Sequence, residues 1–244
     1  MSTLANTVTL PVRSWDSLPK VSRNQMQQLS GLATGKYSMD LRLLMEHAGR
    51  NLAELANHLA PEGPALVVVG RGNSGGAGMV AARHMSSMGR RVWLVPTHEA
   101  GNYSGVPKEQ LERLEHYDRL KVRSSLPKMK FGCVIDAAIG LGLEGPPRGR
   151  TLDVITVLND LSSNGSTVIA LDAPTGMMVD DGSTPGDVVH AQATLSLVLP
   201  KTGVAPGGAV GELYIGDLAL PPQLFGDAGV TPCELPFWLT HVSG

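Results

Sequence analysis

Residues 67–85, VVVGRGNSGGAGMVAARHM, pass from an apolar run through glycine-rich sequence into helix-forming sequence. The run ALVVV (65–69) is short and continuously apolar, the pattern of a strand covered by helices on both faces. Four glycines (Gly70, Gly72, Gly75 and Gly76) let the backbone approach an anion closely. The helix that follows offers free N–H groups and the positive end of its dipole. We expect the N–H groups of Gly75 and Gly76 to face that anion. Gly75→Val should then cut nucleotide affinity about tenfold, about 1.4 kcal/mol, with the fold intact. No Lys-Ser/Thr follows the glycines, so this is not a phosphate loop of the Walker type. The glycine spacing is not that of a dinucleotide fingerprint, and RVWLVP (91–96) ends without an acid. Alone, the stretch fits a tight strand-to-helix packing turn equally well.

The same alternation continues outward. RVWLVP, FGCVIDAAIG (131–140), STVIALDAPTG (166–176), ATLSLVLP (193–200) and GELYIGDLAL (211–220) read as further strands. KEQLERLEHYDRL (108–120) and residues 151–164 read as helices between them. Upstream, Ser22 is placed to cap a first helix. Leu41, Leu44, Met45, Ala48, Leu52 and Leu55 form one apolar stripe on a second, ended by Gly63 and Pro64. Strands alternating with helices predict an α/β fold: a doubly wound, mostly parallel sheet with an N-terminal helical segment. We divide the chain into an extension (1–20), one domain (21–225) and a loose tail (226–244).

Composition narrows the function classes. The 244 residues are 42% hydrophobic, 17% charged and only 4% aromatic, so a core of aliphatics is expected. A net charge of −2 and a pI near 6.4 give no sign of a basic nucleic-acid surface. Cys133 and Cys233 fit neither a disulfide framework nor a zinc site, which suggests a reducing, cytoplasmic setting. No apolar run is long enough to span a membrane. Ser and Thr with a single acid in the first twenty residues leave a short organellar leader open.

In open parallel sheets, ligands bind at the carboxyl ends of strands where strand order reverses. Two further segments end there with chemistry. Asp136 closes an apolar strand before Gly140, Gly142 and Gly145, and reads as a metal ligand, a proton-transfer group or an N-cap. Asp172 closes another, followed by Pro174 and Thr175. Oxygen ligands of this kind suit a hard cation rather than zinc or copper. His47 and His84 read as packing or surface residues, and the ten methionines as core filler.

Together these segments resemble the NAD(P)H-hydrate epimerases, whose domain is of the YjeF N-terminal type and which include apolipoprotein A-I-binding protein. The family's "LMENAG" is matched by Leu44 to Gly49, "GNNGGDG" by Gly72 to Gly78, "DALFGTGLKG" by Asp136 to Gly145 and "DIPSG" by Asp172 to Gly176. ATLSLVLPKTGV (193–204) is similar to a later family segment. The resemblance covers roughly residues 20–220. It implies a three-layer Rossmann-like sandwich, usually a homodimer, that interconverts the R and S forms of hydrated NADH and NADPH. These damaged cofactors carry a hydroxyl on C6 of the nicotinamide ring, and a separate dehydratase repairs the S form. By resemblance, a potassium ion falls on Ser74, Asp136 and Thr175. Substrate contacts fall on Asn73, Ser74, Gly75, Gly76 and Ala77, on Gly140, Leu141, Gly142, Leu143, Glu144, Gly145 and Pro146, and on Asp172.

Three departures stand out: Ser74 replaces Asn, Ala77 replaces an acid, and Glu144 stands where many members carry Lys or Arg. They leave two other readings open, a nucleotide-binding or protein-scaffolding module without catalysis, and an isomerase or hydro-lyase on another ring substrate. For the epimerase we expect Asp136 to protonate the C6 hydroxyl, with water leaving and returning on the other face.

Overall fold

The computed structural model describes residues 9–126 and 129–244. The chain runs β1 (Val12–Ser14), α1 (Arg23–Thr34), α2 (Leu41–Leu59), β2 (Ala65–Val69), α3 (Asn73–Ser87), β3 (Val92–Pro96), α4 (Gly105–Arg113), β4 (Leu120–Val122), β5 (Cys133–Ala137), α5 (Arg150–Ser163), β6 (Thr167–Leu171), β7 (Ala193–Leu197), β8 (Glu212–Gly216), α6 (Pro222–Asp227) and β9 (Leu239–Ser243). Among the described residues the strands form one sheet in the order β1-β9-β8-β7-β6-β5-β2-β3-β4. Every pairing is parallel except β8 with β9. The chain leaves β2 for β3 on one side and later returns to place β5 on the other. The strand order therefore reverses between β2 and β5, and a crevice opens at their carboxyl ends.

Strand residues alternate between the two faces, and each face has its own core. Val67 and Val69 of β2, Ile135 of β5 and Leu195 of β7 pack with α1, α2, α3 and α6. Leu66 and Val68 of β2, Val134 of β5 and Val168 of β6 pack with Val154, Ile155 and Leu158 of α5. The doubly wound, three-layer arrangement expected from the alternation is present, but the layers are unequal. No helix joins β6 to β7 or β7 to β8, contrary to unbroken alternation. Loops rich in Gly, Pro and Asp replace them, and their Met177, Val179 and Val204 cover Leu213 and Ile215 of β8.

The helix caps follow the sequence. The Ser22 hydroxyl accepts from the Gln25 N–H while the Gln25 side chain accepts from the Ser22 N–H, a reciprocal cap on α1. The Asp40 carboxylate caps α2 by accepting from the Arg42 N–H. Gly49 sets how closely α2 approaches α3, because a Cβ there would lie 2.4 Å from Val80 Cβ.

The ends of the chain differ from expectation. Residues 1–8 of the expected extension lie outside the described residues. Residues 12–14 and 239–243, expected in an extension and a loose tail, are strands paired to each other, and β9 also pairs with β8. Backbone pairing alone makes β1, whose three side chains are all exposed, so no apolar pattern marks it. Cys133 and Cys233 are both free thiols, and burial pushes Cys133 up to about 12. Among the described residues no helix is long and apolar enough to cross a membrane.

Candidate functional site

The glycine stretch is more helix than loop. α3 begins at Asn73, so only Gly70 to Gly72 form the turn. The free donors of the first helical turn belong to Asn73, Ser74 and Gly75, whose N–H groups donate to no described residue. Gly76, expected to present its N–H as well, donates instead to the Gly72 carbonyl at 3.0 Å. The first hydrogen-bonded rung of a helix always consumes the fourth donor.

The glycines also have different causes. A Cβ at Gly70 would lie 2.0 Å from the Ala138 carbonyl oxygen, and one at Gly75 1.8 Å from that of Gly70. Those two glycines are required by the chain's own backbone, where the turn crosses the end of β5. Gly72 has extended backbone, and a side chain there would point into open space.

Beside this helix start lies a cavity of about 130 Å³. Its walls come from Met26, Ser30 and Thr34 of α1, Leu41, Leu44, Met45 and Ala48 of α2, Asn73, Ser74 and Ala77 of α3, Leu197 at the end of β7, and Leu141, Asp172 and Leu218 from strand-end loops. For scale, an apolar cavity of about 150 Å³ admits benzene. Asp172 is the one charged residue among the described lining residues, beside the neutral polar Ser30, Thr34, Asn73 and Ser74, which makes it the natural point of chemistry in a mostly apolar slot.

Asp172 is held on one side only. Its Oδ1 accepts from the Lys201 ammonium at 2.5 Å and from the Leu197 N–H at 3.1 Å. Its Oδ2 accepts from no described residue. Lys201 is fully buried, and its other donors go to the Leu197 carbonyl (2.8 Å) and the Ser196 hydroxyl (3.2 Å). All three ammonium hydrogens are used.

Asp136 is placed differently. It is 1% exposed at the end of β5 and does not line the cavity. Oδ2 accepts from the Thr175 N–H (2.7 Å), and Oδ1 from the Thr175 hydroxyl (2.7 Å) and the Ala138 N–H (3.3 Å). Burial pushes its carboxyl above the usual range, against the three hydrogen bonds that favour the anion. Folding therefore favours its protonated form. That contribution is present below the ordinary carboxylate range and is lost as pH rises through the elevated value.

A family model described as YjeF-related protein N-terminus matches residues 42–203. The chain belongs to this family. It is 58% identical, over 88% of its length, to a protein of Truepera radiovictrix named NAD(P)H-hydrate epimerase, 97% of which is covered. A protein of that name from Dehalogenimonas lykanthroporepellens is 38% identical over 87% of the chain and 86% of its own length. Among solved structures, yeast ynu0 aligns over 91% of this chain and 99% of its own, with a TM-score of 0.77 and 22% identity, a likeness of fold.

Within this YjeF-related frame, the structure accounts for the unusual residues. Ala77 is buried in the slot wall, where an acid would stand among apolar groups. Glu144 is exposed and accepts from the Arg23 guanidinium at 3.0 Å, so its charge is matched locally by α1. Arg23 also donates to the Leu143 carbonyl and, through its backbone N–H, to Asp180, so one residue ties two loops to α1. The substitution at 144 thus adds an anchor for the 140–146 loop as much as it removes positive charge. Leu141 of this loop lines the slot, whereas Gly142, Glu144, Gly145 and Pro146 border a separate outer groove. Ser74 keeps an oxygen at its position, and that oxygen would lie 2.4 Å from a Cβ at Gly140, which explains the glycine there. Glu46 accepts from Arg83 and from His84 (2.7 Å), so His84 ties α3 to α2.

Lys201 was not singled out from sequence. The available signal was a lone lysine in the apolar stretch ATLSLVLPKTGVAPGGAV (193–210).

Proposed function

We propose that this chain is an NAD(P)H-hydrate epimerase, interconverting the R and S forms of hydrated NADH and NADPH. The observation that carries the reading is the single carboxylate, Asp172, in a mostly apolar slot beside a helix start with three free N–H groups. The slot suits a nicotinamide ring and the helix start a diphosphate. The names of relatives spanning nearly their whole length support the same substrate. Inversion at C6 needs a proton handled at the hydroxyl and then returned. Asp172 has an oxygen free for that role, so we assign it proton transfer in place of Asp136, whose oxygens are engaged behind the slot. Substrate binding is assigned to Asn73, Ser74, Gly75, Gly76 and Ala77 at the start of α3 and to the 140–146 loop. An assay of R-to-S conversion coupled to a dehydratase tests the activity. A rate equal to the spontaneous one, from folded protein with potassium present, would sink it.

Gly72 separates binding from folding. Gly72→Asp puts a favoured capping residue on α3 with no steric conflict, worth about 1 kcal/mol to the helix. Its carboxylate would compete with the diphosphate for the same donors. The expected result is an unchanged or higher melting temperature with KM raised about tenfold or more, about 1.4 kcal/mol. An unchanged KM would move the diphosphate elsewhere.

Potassium belongs to the same proposal. The donor set fits it: the Asp136 carboxylate and Thr175 hydroxyl already touch, the Ser74 hydroxyl lies against Gly140, and all are hard oxygens. Bound by Ser74, Asp136 and Thr175, the ion would supply a fixed positive charge behind the slot. Melting temperatures in potassium and in tetramethylammonium at matched ionic strength check this, with a gain expected in potassium only. Equal midpoints would remove the ion from the proposal. The homodimer and the cytoplasmic setting are carried from the family resemblance and from the two free thiols, and sedimentation tests the first.

A further inference from the structure

Lys201 and Asp172 form a buried pair at unusual expense. Asp172 and Val198 both have left-handed backbone, at φ 64° and 68°. The Ala173 N–H donates back to the Leu171 carbonyl at 2.9 Å, and the Leu199 N–H to the Leu197 carbonyl at 2.8 Å. Each strained residue is thus the centre of a three-residue turn, one at the end of β6 and one at the end of the adjacent β7. Such turns are rare for non-glycine residues, and for β-branched Val198 especially so. Strain of this kind persists only where surrounding structure enforces it. Both turns are held by backbone bonds to neighbouring strands, and Lys201 joins them, bonding Asp172 of one, Leu197 of the other and the adjacent Ser196.

The pair also fixes the kind of chemistry available. Loss of water from C6 requires a proton donor at the hydroxyl. A carboxylate that lines the slot, engaged by a buried ammonium on Oδ1 and with Oδ2 accepting from no described residue, is arranged as an acceptor. Resting on the epimerase reading, we infer that Lys201 is a positioning residue that presents Asp172 Oδ2 as a base to the C6 hydroxyl, so that C6 inverts by opening its bond to the ring nitrogen rather than by losing water. Oδ2 removes the hydroxyl proton, and the oxygen lone pair forms a carbonyl as the C6–nitrogen bond breaks. The electron pair of that bond passes to the ring nitrogen, where the conjugated carboxamide delocalises it. The freed aldehyde turns about its bond to C5, the nitrogen adds to the opposite face, and the oxygen takes its proton back from Asp172. No water, electron or proton is gained or lost over the cycle.

The test follows the oxygen. Wild-type protein converts the R form under single-turnover conditions in water enriched in heavy oxygen, and the S product is weighed by mass spectrometry. The product is expected to keep its original oxygen, and heavy oxygen in each inverted molecule overturns the inference while leaving the epimerase intact. Absence of conversion by the wild type instead sinks the epimerase reading itself. Lys201→Met and Lys201→Gln are expected to lower kcat about 100-fold or more with KM within about threefold of wild type. Because Lys201 acts through Asp172, the double variant Lys201→Met/Asp172→Asn is expected to be no slower than the slower single. Multiplying losses would overturn the coupling, as would a single variant with near wild-type kcat. Where a single variant fails to fold, the double variant leaves no unmatched buried charge and is expected to recover folding without recovering turnover. A double variant that regains turnover, or is no more stable than the single, counts against the pairing.

Discussion

Asp172→Asn lowers kcat by about 100- to 10,000-fold, the usual contribution of a general base. The amide keeps the volume of the carboxylate and an oxygen for Lys201, but no group in the slot can then take the C6 hydroxyl proton. KM changes little, because the α3 N–H groups proposed for the diphosphate are untouched. The same substitution leaves the buried Lys201 without a counter-charge, which costs about 3–5 kcal/mol of stability. Kinetics are therefore read well below the lowered melting temperature, on protein shown to be folded by circular dichroism. Asp136→Asn, measured alongside, separates the two carboxyls. Turnover by Asp172→Asn near that of wild type, or an Asp136→Asn variant slower than it, would return the proton to Asp136.

Gly75→Val destabilises the protein rather than merely weakening its ligand. The expectation from sequence was an intact fold, since glycine was read as making room for a phosphate. In the structure a Cβ at 75 would stand 1.8 Å from the Gly70 carbonyl oxygen and 2.6 Å from its carbon. Backbone cannot swing aside as a flexible side chain can, and the turn is pinned by the Gly70 N–H donating to the Ala137 carbonyl. A loss of about 3 kcal/mol or more is expected. That corresponds to a melting temperature lower by roughly 6–12 °C in a domain of this size. A calorimetric midpoint within a degree or two of wild type would show that the turn can relax, and would restore the ligand as the reason for the glycine.

The difference between Gly75 and Gly72 shows where sequence reading stops. Both glycines sit in one motif, and spacing alone assigns them one purpose. What separates them is the path of the turn itself, which sets the Gly70 carbonyl against position 75 and leaves position 72 facing open space, and spacing alone does not show that path. The parallel sheet was legible because β2, β5 and β6 are buried on both faces and carry the mainly apolar runs ALVVV, CVIDA and TVIAL. β1 was not, because its three exposed residues carry no pattern for backbone pairing to leave. At the site, Asp136 and Asp172 look alike in sequence, each closing an apolar strand. Their unlike roles depend on Thr175 saturating one and Lys201 gripping one side of the other, and both partners come from loops whose course the sequence does not dictate.

The pairing of β1 with β9 has a consequence for how the molecule comes into being. Val12 finds its register opposite His241, almost the full chain away. During synthesis the segment carrying β1 emerges well before its neighbour and waits until residues 239–243 have cleared the ribosome. The flavour of delay is topological, since contacts of such long range are intrinsically the slow ones to form. Until then β8 presents an open edge, so the nascent protein is most exposed to strand-to-strand association at the moment its slot is already built.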